Sequence, residues 1–134
     1  MSNTGIVVIT HGDAAISMVE AAERVVGNLG VETVTVKVGE PRGETESRIE
    51  KAVVSLGVDE VLFLVDLEGS TPFNLCCRSC GGRSAVVSGM NLPMLFKLAT
   101  VDRARDPLAL AADLAATGTK SIHVRADGPG KERV

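Results

Sequence analysis

The chain has no tryptophan and no tyrosine, and only three phenylalanines among 134 residues. Binding to single-stranded nucleic acid relies on aromatic rings that stack on bases, so that class has little to stand on. Charge does not help it. Fourteen Lys and Arg face seventeen Asp and Glu, a net charge of -3, which gives no electrostatic case for nucleic acid or an anionic membrane. No apolar run approaches the roughly 20 residues of a membrane span. The N-terminus has no basic segment ahead of its first apolar run, so no signal peptide is expected and the cytoplasm is the default compartment. The three cysteines, Cys76, Cys77 and Cys80, fall close together. Odd number, tight spacing and no secretion signal argue against a disulfide framework. Cys77 and Cys80 have CxxC spacing, but no second Cys/His pair completes a zinc set. Small thiols packing one helix face explain Cys76 and Cys80 better, and no metal is expected. The phosphate- and dinucleotide-binding patterns GxxxxGK[ST] and GxGxxG are missing, as is the GxSxG elbow. No cofactor is therefore expected.

Apolar residues make up 45% of the chain, enough for one domain with a real core. Strand and helix patterns alternate from end to end. Residues 5–10 are a short β-branched apolar run, the mark of a buried central strand. Ile16, Val19, Ala22 and Val26 recur at helical spacing over 13–27, with Asp13 placed to cap or flank the start. Residues 32–38 alternate valine with polar side chains and read as an edge strand. An amphipathic helix is expected over 44–56 and a strand over 60–65. Thr71-Pro72 is a specific helix start. A strand over 84–88 precedes a helix opened by Pro93. A last helix spans 107–117, and 121–125 reads as a short fifth strand. The expected fold is α/β, a doubly wound, mostly parallel open sheet with helices on both faces. It forms a single domain over 1–126, with a loose tail over 127–134.

The first strand stops on His11 and turns through Gly12 into a helix. The strand over 60–65 stops in the same way on Asp66. In open α/β sheets the carboxyl ends of strands are where ligands bind, so the two side chains can share one crevice. An imidazole is a nucleophile near neutral pH and can hold a phosphoryl group as a labile phosphoramidate. A carboxylate that accepts from one ring N–H fixes the tautomer and leaves the other nitrogen free to attack. Helix N-termini after Gly12, at Thr71-Pro72 and near Asn91-Pro93 would supply donors for phosphoryl oxygens, and Ser70 and Thr71 would add hydroxyls. Each residue also has a structural reading: Thr71 as an N-cap, Asn91 as a turn residue, Asp66 as a loop or cap residue. His123, without an acidic neighbour, reads as structural or surface.

Three stretches, Gly5 to Gly12 (GIVVITHG), Val61 to Asn74 (VLFLVDLEGSTPFN) and Val87 to Leu95 (VSGMNLPML), resemble the IIA component of the mannose-type phosphotransferase system. The similarity runs from about residue 4 to 117 with the motifs in family order. The resemblance implies a phosphotransferase in sugar transport. His11 would take a phosphoryl group from phospho-HPr and pass it to a IIB protein, Asp66 would orient His11, and Thr71 would offer its hydroxyl to the phosphoryl. Relatives often have Ser at that position. Gly12, Gly69, Ser70 and Asn91 would line the phosphoryl and partner surface. Glu68 departs from the family pattern and would place a negative charge beside the phosphate, tuning partner choice or phosphoryl affinity. The resemblance also implies a homodimer, with the terminal strand exchanged between protomers, and leaves room for association with a IIC/IID permease. Three other readings stay open: a regulatory module whose His11 phosphorylation signals system state without transport, the related phosphocarrier of dihydroxyacetone kinases, and a purely structural domain.

Overall fold

The computed structural model describes residues 3–67 and 83–128. Glu68, Gly69, Ser70 and Thr71, the helix expected behind Pro72, the three cysteines and residues 129–134 of the tail lie outside the described residues. Within them the chain runs β1 (Gly5–His11), α1 (Ala14–Val26), β2 (Glu32–Val36), α2 (Arg42–Leu56), β3 (Val61–Val65), β4 (Ser84–Ser88), α3 (Leu92–Lys97) and α4 (Pro107–Lys120).

The strands form a parallel sheet in the order β2-β1-β3-β4. Alternate side chains of β1 and β3 enter opposite faces, and both faces are covered. Ile6, Val8, Leu62 and Leu64 pack with α1, α3 and α4, while Val7, Ile9, Phe63 and Val65 pack with Ile49 and Ala52 of α2. This double cover is why both central strands read as unbroken apolar runs. Among the described strands β2 has a neighbour on one side only, and only its Val34 and Val36 are buried, as its alternation foretold.

The path of the chain decides where chemistry can occur. It leaves β1 through α1 on one face to reach β2, then returns through α2 on the other face to β3. The winding therefore reverses between β1 and β3. The crevice at their carboxyl ends is the switch point where doubly wound sheets bind ligands. His11 and Asp66 stand on its two sides.

Three expectations need correction. Residues 121–125 form no strand: the chain leaves α4 at Ser121 and continues without sheet pairing, with Ile122 and Val124 both exposed. A strand needs a ladder of hydrogen bonds to a neighbouring strand, and among the described residues no strand pairs with this segment. Asp13 does precede α1, but its side chain makes no capping bond. Element ends also moved. α2 begins at Arg42, because Pro41 already holds the extended geometry of a cap and its carbonyl receives the N–H groups of Glu44 and Thr45. β2 stops at Val36, and α4 continues to Lys120.

Candidate functional site

His11 is the last residue of β1, and the sheet grips it from both sides. On one side it registers with Val36 of β2, and the next residue, Gly12, donates its N–H to the Val36 carbonyl at 2.9 Å. On the other side β3 has ended, and Asp66 takes over from its backbone. One carboxylate oxygen, Oδ2, accepts the His11 backbone N–H at 3.1 Å and lies 3.0 Å from ring Nδ1. An ionised carboxylate can only accept, so in that pairing Nδ1 carries the proton. The lone pair is left on Nε2, on a side chain 45% exposed. Because the same oxygen holds both backbone and ring, it fixes the imidazole relative to the strand as well as its tautomer.

The turn beyond His11 has its own device. Gly12 sits at φ +61°, and a Cβ there would meet nothing within 4 Å. The backbone angle requires glycine here, not lack of space. Helix α1 is capped from within the strand. The Thr10 hydroxyl accepts the Ala15 N–H at 2.6 Å and reaches the Gly12 carbonyl at 3.5 Å. Thr10 is fully buried. Sequence reasoning missed it, since a threonine inside a β-branched run reads as a strand former. The available signal was a polar residue at a core-facing position just before a helix start.

The neighbouring rim is held by an ion pair. Glu40, in the loop after β2, has a side chain only 4% exposed. Its Oε1 accepts from Arg48 at 2.5 Å and from the Thr45 hydroxyl at 2.6 Å. The Arg48 guanidinium, followed by the Thr45 hydroxyl, lowers the Glu40 carboxyl to about 2. Arg48 also donates to the Thr35 carbonyl at 2.6 Å, covering a group on the open edge of β2.

Asn91 is not hydrogen-bonded to His11 or Asp66. It caps α3, accepting from the Met94 N–H at 3.4 Å, and its amide donates to the Gly118 carbonyl of α4 at 3.1 Å. Gly118 permits that approach, because a Cβ there would lie 2.4 Å from the Met94 methyl and 3.0 Å from Asn91 Oδ1. The loop still reaches the sheet edge, where the Met90 N–H meets the Val65 carbonyl at 3.1 Å. His123 is exposed on the segment after α4.

A cleft of about 550 Å³ lies between β2 and α2, lined by Thr33, Thr35, Lys37, Arg48 and Lys51 among others. Neither His11 nor Asp66 lines it. The oriented imidazole is instead half-exposed at the carboxyl end of β1. Among the described residues no three His, Cys, Asp or Glu side chains gather to hold a metal. No described helix is long and apolar enough to cross a membrane.

Comparison with known proteins identifies similar sequences and folds. The family model EIIA-man, described as the PTS system fructose IIA component, matches residues 5–116. The mannose-specific EIIAB component of the PTS system from Escherichia coli K12 is 33% identical over 90% of the chain. The chain spans 40% of the length of that relative. Among solved structures, the mannose/sorbose-specific IIA subunit from Enterococcus faecalis superposes with a TM-score of 0.80 at 24% identity, covering 98% of this chain and all of that one. The PTS IIA protein associated with the fucose utilization operon of Streptococcus pneumoniae gives 0.75 at 28% identity, covering 90% of this chain and 91% of that one.

Proposed function

The chain belongs to the mannose-type IIA family of the phosphotransferase system, and from that premise we propose that it is a phosphocarrier that holds the phosphoryl group on Nε2 of His11. The observation that carries this reading is the double hold of Asp66 Oδ2 on the His11 backbone and ring. It leaves one ring nitrogen free, oriented and accessible.

The donor is phospho-HPr and the acceptor a IIB protein. The Nε2 lone pair attacks phosphorus in line, a new N–P bond forms, and the bond to the donor's nitrogen breaks with its electron pair returning to the donor ring. Asp66 stabilises the charge that develops on the His11 ring without taking the proton itself. Positioning and electrostatics carry most of such a transfer. Thr71 and Ser70 supply hydroxyls to the phosphoryl oxygens, Gly12 and Gly69 let the partner approach, and Asn91 shapes the rim through its cap. In this reading the protein works in the cytoplasm, meets a IIC/IID permease only through its partners, and pairs as a homodimer. Exposed Ile122 and Val124 support the pairing, as does β4, the last of the described strands in the sheet, with half-buried Ala85, Val86 and Ser88.

The test is phosphorylation in a defined system. Incubation with phosphoenolpyruvate, enzyme I and HPr should add one phosphoryl group to the intact mass at mildly alkaline pH, and none to His11→Ala. Adding IIB should remove it. No gain in mass with demonstrably active donors defeats the proposal. A gain that no IIB protein can discharge favours the signalling module.

A further inference from the structure

We infer that Thr10 is a positioning residue for His11, setting the strand-to-helix turn from which the imidazole projects; the inference rests on the reading of His11 as phosphoryl acceptor. Val36 and Asp66 hold residue 11 within the plane of the sheet, through the Gly12 N–H and the His11 N–H. Neither controls how the chain climbs out of that plane into α1. The next three residues cannot do so with side chains of their own. Gly12 has none, Asp13 makes no capping bond, and Ala14 is an exposed methyl. The Thr10 hydroxyl spans the turn instead. It accepts from the Ala15 N–H at 2.6 Å on the far side and touches the Gly12 carbonyl at 3.5 Å midway. His11 to Ala14 are therefore closed into a loop tied at its base.

The tie is buried. Thr10 and Ala15 are both fully inaccessible to solvent, so no water replaces a lost hydroxyl and the Ala15 N–H would be stranded. The turn then shifts to recover a partner, and His11 moves with it. A displacement of about 1 Å at a reacting group costs on the order of 100-fold in rate, so even partial relaxation is readable. Thr4 provides the comparison. It is equally buried, with a 2.6 Å bond from its hydroxyl to the Arg105 carbonyl, but it lies before β1, at the opposite edge of the sheet.

The experiment compares Thr10→Val, Thr10→Ser and Thr4→Val with the parent, well below every unfolding midpoint. Nitrogen-15 spectra of the His11 ring are recorded without any donor, and phosphoryl acceptance is measured against HPr concentration. Thr10→Val should lose the single Nδ1–H signature and slow maximal acceptance by about tenfold or more, with KM for the donor nearly unchanged. Thr10→Ser should restore both, and Thr4→Val should alter neither. Unchanged ring spectra and rate in Thr10→Val overturn the inference, as does an equal slowing in Thr4→Val. Should Thr10→Val not fold, Thr10→Cys takes its place under the same criteria. If the parent accepts no phosphoryl group the functional reading fails, yet the ring spectra still decide the role of Thr10.

Discussion

Asp66 spends one oxygen on two bonds to a single residue, and this makes its replacement more damaging than a lost ion pair at the surface. An asparagine matches its shape but offers one accepting atom and no charge. It can hold the His11 ring only by turning its amide, and it cannot stabilise an imidazolium. Asp66→Asn should therefore fold normally and accept phosphoryl groups about 100-fold more slowly or worse. Stopped-flow acceptance from phospho-HPr checks this, and a rate near that of the parent would refute the role. At this scale the sequence was legible in part. His11 and Asp66 each follow an apolar run, which is visible in one dimension. That the carboxylate also grips the backbone depends on β3 ending two residues short of His11 in register, which is not.

Elements are joined by contacts that local pattern does not announce. The loop between β2 and α2 contains an acid, Glu40, that reads as an ordinary loop charge. The fold encloses it with Arg48 and Thr45 and lowers its carboxyl from 4.5 to about 2. The depressed value means that the ionised form stabilises the folded state. That contribution is complete above about pH 4.5 and is lost as pH falls from there toward 2. Glu40→Gln should show a shallower decline in stability over this window, measured by urea unfolding at a series of pH values. Asp113, whose carboxyl is lowered by Arg105, keeps the variant's slope from vanishing. Identical slopes in parent and variant would remove Glu40 from the account. The described helices were foreseen, α1 from apolar spacing and α3 from the proline that opens it, and their ends less well. Pro41 starts α2 two residues early, and Thr10 replaces Asp13 as the cap of α1, because capping is settled by geometry around the residue rather than by its type.

At the scale of the whole molecule, one described segment lies outside the sheet and the helices. After α4 the chain presents Ile122 and Val124 to solvent, 72% and 78% exposed, alternating as a strand would. β4 stands last in the order of the described strands. Unpaired edges and exposed alternating apolar residues are what a second copy can satisfy. The protein should therefore sediment as a dimer at micromolar concentration, and a double variant, Ile122→Asp with Val124→Asp, should sediment as a monomer that keeps its helical circular dichroism. A monomeric parent would end the strand-exchange reading. The expectation of a fifth strand failed within a single chain for a related reason: alternation records a tendency to extend, whereas pairing requires a neighbour.

The sequence by itself determined the alternation of the described strands and helices, the buried character of β1 and the edge character of β2, and the placing of His11 and Asp66 at strand ends. All of these follow from side-chain periodicity, which the backbone imposes over a few residues. Only the tertiary structure decided that β1 and β3 are neighbours, that one oxygen of Asp66 serves both backbone and ring, that Thr10 closes the turn, and that Asn91 is committed to α4. These depend on strand order and register between residues up to 55 positions apart, and burial, not local propensity, selects them.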